Sequence, residues 1–260
     1  MDIMLGFSSM GQPELSFSEF EALAREFDMD FIELRSLEGS LDLPGCFKRR
    51  GKALPSVPVR LLASSLQLAK VTPADLEEFF RFGDLAENLQ TPYVRVFGGG
   101  SFGDPVTDAM LHAAASTVET LRERIRREGW KFEILLETHS AFSSSRHCSA
   151  LNRLLKEPLG ILWDSHHTWK LAGEDFALSW NLLGPWVRHV HFKDSRTADG
   201  TCHLVLPGEG NFPAAELLEL LTREGFRGGL ALEWEKLWHP ELPPLHDALG
   251  AFARVIRQGS

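Results

Sequence analysis

Four residues at the ends of apolar runs have the right chemistry to bind one cation together. Glu137 closes Phe132-Glu-Ile-Leu-Leu-Glu137, Asp164 closes Gly160-Ile-Leu-Trp-Asp164, Glu233 follows Gly229-Leu-Ala-Leu, and His191 lies inside Val187-Arg-His-Val-His-Phe-Lys-Asp194. Three carboxylates and an imidazole gathered in one place repel one another unless a divalent ion sits among them. Oxygen-rich ligation with a charge of about −3 favours hard or borderline cations, so one ion is expected, from among Mn2+, Mg2+, Co2+ and Zn2+. Glu235 has the same strand parity as Glu233. Glu233 is preferred because it follows the apolar run directly, as Glu137 does.

More polar side chains fall close to these ends. In Asp164-Ser-His-His167, His167 stands three residues past the run, near enough to be a ligand, a hydrogen-bond donor to substrate or a proton carrier, with His166 as the neighbouring alternative. In Glu137-Thr-His139, His139 falls on the side of Glu137 if the strand continues. Lys193 and Arg196, just beyond His191, carry the charge needed to hold hydroxyl, phosphate or carboxylate groups of a substrate. Trp163, Trp169, Trp234 and Trp238 lie near run ends, where an indole can stack on a sugar's C–H face. One or two of them, Trp163 foremost, are expected to touch substrate.

What must position these groups is a set of strands whose C-terminal ends meet. The run through His191 alternates, with His189, His191 and Lys193 on one face and Val190 and Phe192 on the other. Parallel strands covered by helices are normally apolar on both faces, so a face with two imidazoles and an ammonium reads as a polar pocket. Other strands are expected at residues 3–7, 28–34, 59–64 and 93–97. Between them come helices at about 16–27, 72–88, 108–128, 146–155, 175–183, 213–223 and 243–257, several with a Ser, Thr or Asp cap, a first-turn Pro or a closing Gly. Residues 36–57 are rich in Gly, Pro and charge and read as a long loop with one short helix near 47–50. The pattern Arg127-Glu-Gly-Trp-Lys-Phe-Glu-Ile-Leu-Leu-Glu137 recurs in outline as Arg223-Glu-Gly-Phe-Arg-Gly-Gly-Leu-Ala-Leu-Glu233, one supersecondary unit used twice. About eight strand-then-helix units in 260 residues predict a single (β/α)8 barrel over residues 1–260, with the site at the strands' C-terminal ends. Gly98-Gly-Gly100 lacks the spacing of a phosphate-binding loop.

The formal net charge of −9 argues against nucleic acid as a partner, because that affinity comes mainly from Lys and Arg. Cys46, Cys148 and Cys202 are far apart, odd in number and without ligand spacing, as expected of reduced thiols in a cytoplasmic protein. No apolar run has the length of a membrane span, and Met1-Asp-Ile-Met4 lacks a leader's pattern. The expected partner is a small-molecule sugar or polyol; a homo-oligomer is left open.

In Phe31-Ile-Glu-Leu-Arg35, Arg95-Val-Phe-Gly-Gly99, Leu136-Glu-Thr-His139, Trp163-Asp-Ser-His-His167, His189-Val-His-Phe-Lys-Asp194, Gly208-Glu-Gly210 and Leu232-Glu-Trp-Glu-Lys-Leu-Trp-His-Pro240, the chain resembles the xylose isomerase-like barrel superfamily. This is the sugar phosphate isomerase/epimerase group, which also contains D-tagatose 3-epimerase, inosose dehydratase and the endonuclease IV family. The resemblance implies that the epimerases' metal-binding Glu, Asp, His and Glu fall on Glu137, Asp164, His191 and Glu233, and that the Asp-x-x-His histidine falls on His167. It departs from the endonucleases, whose extra ligands have no counterpart in Ala63-Ser-Ser65, Phe97-Gly-Gly99 or Asp199-Gly-Thr201. The expected activity is metal-dependent isomerisation or epimerisation of a ketose or aldose, with Glu137 and Glu233 as the proton-transfer pair and His167 as a third catalytic group. The alternatives are an inosose-dehydratase-like lyase and an inactive sugar-binding barrel.

Overall fold

The computed structural model describes residues 3–50 and 54–259. Met1 and Asp2, included in the leader reading, and residues 51–53 of the expected loop lie outside the described residues. Eight parallel strands close into a barrel: β1 (Met4–Ser8), β2 (Phe31–Leu34), β3 (Val59–Gln67), β4 (Tyr93–Phe97), β5 (Glu133–Glu137), β6 (Gly160–Asp164), β7 (Val187–Phe192) and β10 (Gly229–Leu232). Neighbours in the ring follow chain order, and β10 closes it by pairing with both β7 and β1. The covering helices are α1 (Phe17–Glu26), α2 (Leu43–Arg50), α3 (Pro73–Leu89), α4 (Asp108–Glu128), α5 (Ser145–Leu154), α6 (Ser165–Lys170), α7 (Phe176–Leu183), α8 (Ala214–Arg223) and α9 (Leu245–Gln258). A hairpin of β8 (Asp194–Ala198) and β9 (Thr201–Val205) stands apart from the barrel.

Local chemistry sets the helix ends. Ser16 and Glu19 cap α1 reciprocally, and Thr72 and Asp75 do the same for α3 with Pro73 in its first turn. Gly129, at φ 73°, closes α4 in the left-handed conformation. Outward-facing strand residues such as Ile32, Leu62, Leu136, Trp163, Val190 and Leu232 join the helices in one large core. Inside the ring, Leu61, Ala63, Leu135 and Leu162 form a separate small apolar layer.

That layer fills only the side made by β3 to β6. Across the ring, Phe31, Glu33 and His189 take the interior, and the strands beside them carry glycine. A Cβ on Gly6 would lie 2.3 Å from the Phe31 ring, and one on Gly229 would lie 2.7 Å from His189 Nδ1. Strand register sets the heights: Asp164 is level with His191, and His191 with Ala231, so Glu233 emerges one step above them.

Three local expectations are revised. The loop after β2 contains a longer helix than expected, α2, starting at Leu43. A short helix, α6, starts directly at the end of β6, capped by Asp164. The hairpin was not anticipated; Asp199 (φ 50°) and Gly200 (φ 75°) form its tight turn. Among the described residues no helix is long and apolar enough to cross a membrane.

Candidate metal centre

Strand parity and register bring Glu137, Asp164, His191 and Glu233 to the mouth of the barrel, where each offers a ligand atom within 4.8 Å of the others. All four side chains are buried. Each is held by one of its polar atoms and turns the other inward. Arg95 Nη1 donates to Glu137 Oε2 at 2.8 Å, and the backbone N–H of His167 donates to Asp164 Oδ1 at 2.9 Å. His191 Nε2 lies 3.0 Å from Glu33 Oε2, and Lys193 Nζ donates to Glu233 Oε2 at 2.5 Å.

The inward atoms converge. His191 Nδ1 is 3.3 Å from Glu233 Oε1 and 3.8 Å from Glu137 Oε1. Glu137 Oε1 and His191 Nδ1 are buried with no hydrogen bond of good geometry, and Asp164 Oδ2 is buried with Lys193 Nζ at 2.8 Å and His167 Nδ1 at 3.0 Å. Buried acceptors left without donors are costly and uncommon. Ligand atoms aimed at one point, with their supporting partners already satisfied, fit a divalent cation held by Glu137, Asp164, His191 and Glu233.

Support for the imidazole reaches across the barrel. Glu33 accepts from His191 through one oxygen and from His189 Nε2 through the other, so His191 turns Nδ1 to the cluster. Against burial, Glu233 and Glu33 hold the ring well above the usual imidazole range, and a bound ion would take the place of the Nδ1 proton. Burial alone would raise the Glu33 carboxyl, but His191 and His189 outweigh it and lower the pKa to about 2. Burial pushes the Asp164 carboxyl up to about 7 with help from Glu233, against Lys193 and His191. Burial likewise raises Glu137, aided by Glu233 and opposed by Arg95. Glu233 moves the other way, because His191 and Lys193 overcome its burial. Two neighbouring carboxyls are thus pushed apart.

The remaining expected site residues divide. Lys193 points inward and touches Asp164, Glu233 and Glu235. Glu235 lies farther out than Glu233 and belongs to none of the ligand-capable groups. His167 lines the mouth, with Nδ1 3.1 Å from the Thr138 carbonyl and Nε2 3.4 Å from Lys193 Nζ; burial, with Lys193 close by, keeps it neutral. His139 packs between Phe97 and Phe102, 5.0 Å from the His167 ring, and burial lowers it to about 3. His166 turns away to Ser195 at 2.7 Å.

Two expectations are corrected. Trp163 does not face the site: its neighbours Leu162 and Asp164 point in, so the indole points out, packs on Phe176 and Trp180, and donates to Thr168 at 2.9 Å. Arg196 rides on β8 and bonds the Glu209 carbonyl on the exposed side of the hairpin. Trp234 is likewise outward and buried, donating to the Pro243 carbonyl. Residues not expected are Glu33 and Arg95, which with His189 of the expected polar face orient the cluster, and half-exposed Phe102, whose ring lies 4.8 Å from His139 and 5.4 Å from His167. His189 shares the inward parity of His191 on β7, a signal present in the sequence, whereas Glu33 and Arg95 lie on β2 and β4, where no site residue was expected.

The fold has many solved counterparts. One, a probable 3-DHS dehydratase named AsbF from Bacillus anthracis, is 19% identical with a TM-score of 0.75, over 98% of this chain and 99% of that one. The IOLI protein with a binding zinc atom is 16% identical with a TM-score of 0.76, over 99% of both chains. L-ribulose 3-epimerase is 15% identical with a TM-score of 0.72, over 99% of this chain and 95% of that one. Comparison with curated protein sequences gives no match. Residues 57–256 match the family model described as xylose isomerase-like TIM barrel. With that match over most of its length and the closed barrel already described, the chain belongs to the xylose isomerase-like TIM barrel family.

Proposed function

We propose that the protein is a divalent-metal-dependent isomerase or epimerase of a sugar or sugar phosphate, working through an enediolate. The observation that carries this reading is the convergence of ligand atoms of Glu137, Asp164, His191 and Glu233 within 4.8 Å of one another, with Glu137 Oε1 buried and without a hydrogen bond. When bound, a divalent cation supplies polarisation of a substrate carbonyl and stabilisation of negative charge on adjacent oxygens. Glu233, kept ionised by His191 and Lys193, is suited to take the proton from the carbon beside the carbonyl. The C–H electron pair moves into the carbon–carbon bond of the enediolate. Glu137, raised by burial and by Glu233, is suited to return a proton from three strands away around the ring. Lys193, His167 and His139 line the mouth and hold substrate oxygens, and Phe102 covers the two imidazoles.

A second reading is an inosose-dehydratase-like lyase. It needs the same proton removal, and Lys193 beside His167 stands where a leaving hydroxide could be protonated. Sugars screened in deuterium oxide with Mn2+ should take up label at one carbon without change of formula; loss of water, read by mass, would favour the lyase. Glu137→Gln and Glu233→Gln should each lower turnover by at least ~100-fold. A variant that retains the ion and full activity would remove that glutamate from the mechanism. No label uptake in any sugar, with the ion bound, would mark an inactive sugar-binding barrel.

A further inference from the structure

Arg35 is the buried charge at the mouth that the chemistry so far leaves unused. It continues the inward parity of Phe31 and Glu33 one step past β2, and its backbone is anchored by the Ser9 hydroxyl at 2.9 Å. Its side chain is 8% exposed. Each of the other buried charges around the centre has an opposite charge within 4 Å: Glu33 has His189 and His191, Glu137 has Arg95, and Asp164 and Glu233 share Lys193. Arg35 has none among the described residues. Its one side-chain partner is the hydroxyl of Ser65, at 2.9 Å, which leaves most of the guanidinium's donors free.

The location is that of the substrate. Arg35 feels Glu78 of α3 and then Glu137 and Glu233 through space, none of them within ion-pair distance, and Ser65, at the top of β3, is open to solvent. Burial and the nearby Arg95 lower the guanidinium to about 10, so it still carries its charge at neutral pH. A buried guanidinium with no carboxylate within 4 Å, next to a hydroxyl and a cluster able to bind a metal, matches the planar two-oxygen face of a carboxylate or phosphate. We infer that Arg35 and Ser65 form an anion subsite, and that the substrate is a polyol or keto sugar bearing a carboxylate or phosphate group. This rests on the proposed isomerase reading for the reacting centre, while the anion preference is measurable by itself.

The test is a binding titration of the full-length, Mn2+-loaded protein with two matched pairs, ribulose against ribulose 5-phosphate and myo-inositol against quinate. The anionic member of at least one pair should bind at least ~10-fold tighter, and the pair concerned distinguishes phosphate from carboxylate. Arg35→Gln should reduce that preference to under ~3-fold with the Mn2+ stoichiometry unchanged, and Arg35→Lys should recover part of it. Ser65→Ala, at an exposed position, should weaken only the anionic ligand and serves where Arg35→Gln does not fold. Equal binding within both pairs, or a preference that survives in Arg35→Gln and in Ser65→Ala, overturns the subsite. If the protein binds no Mn2+, the isomerase reading fails, and the same pairs measured without the ion still decide the subsite.

Discussion

At the scale of single residues, the candidate centre works by dividing each side chain into a held atom and an offered atom. Glu137 is held by Arg95, Asp164 by a backbone N–H, Glu233 by Lys193 and His191 by Glu33. Fixing one atom removes rotamer freedom that would otherwise be lost on ligand binding, and for the imidazole it also selects the tautomer. The Glu33 carboxylate is the clearest case, because it accepts from two imidazoles at once. A Gln in its place keeps the shape but offers one acceptor and one donor, so one imidazole loses its acceptor. Glu33→Gln should therefore weaken Mn2+ binding by roughly 10- to 100-fold while the far-ultraviolet circular dichroism stays native. Calorimetric titration of the ion checks this; unchanged affinity would reduce Glu33 to a packing role.

At the scale of elements, alternation made most of the site legible. Glu137, Asp164, His191 and Lys193 were readable because each sits at or near the end of an apolar run, with a period of two that says which way it points. The same period excludes Trp163, which lies between two inward residues, so the expectation that it stacks on substrate conflicted with the placement of Asp164. The Glu33 contacts were not legible. They join residues 156 and 158 positions apart, and only closure of the ring shows that β2 and β7 face each other across it. The β8–β9 hairpin escaped because its strands are mostly exposed and have no apolar face, although Asp199-Gly200 is a strong turn signal. Its consequence falls on Arg196, which leaves the site. Arg196→Ala should change turnover by less than ~2-fold, within the range of ordinary surface substitutions; a large rise in KM would return the hairpin to the substrate's path.

At the scale of the whole molecule, the barrel encloses carboxylates that oppose one another, and their titration should be visible in global stability. Asp164 shifts from an ordinary 3.8 to about 7, so folding favours its neutral form. Its contribution is fully present below pH 3.8 and is lost as the pH rises through 7. Glu137 shifts in the same direction. Glu33 does the opposite: lowered from 4.5 to about 2, it stabilises the fold above pH 4.5 and is lost as the pH falls toward 2. From pH 5 to about 6.5 the buried imidazoles oppose the raised carboxyls: burial lowers His139 and His166 to about 3 and lowers His167 and His189 in the same direction, so their contribution grows as the pH rises. Above about 6.5 that gain is complete, the raised carboxyls and the raised His191 decide, and protein stripped by a chelator should become less stable as the pH rises toward 8. A divalent ion reverses this trend because it needs the same carboxyls deprotonated, so its affinity grows with pH. At an ion concentration of about 100 times Kd the linkage is worth about 2.7 kcal/mol, which for a chain of this size is a rise in Tm of about 5–10 °C. Scanning fluorimetry at one fixed heating rate, from pH 5 to pH 8 with chelator or with Mn2+, should show the two curves separating as the pH rises. Asp164→Asn should flatten the chelated curve and remove most of the response to Mn2+. A gap between the two curves that does not widen as the pH rises, or a Tm that Mn2+ leaves unmoved at pH 8, would show that the cluster is paired by the protein's own cations, Lys193 foremost, and does not bind an ion.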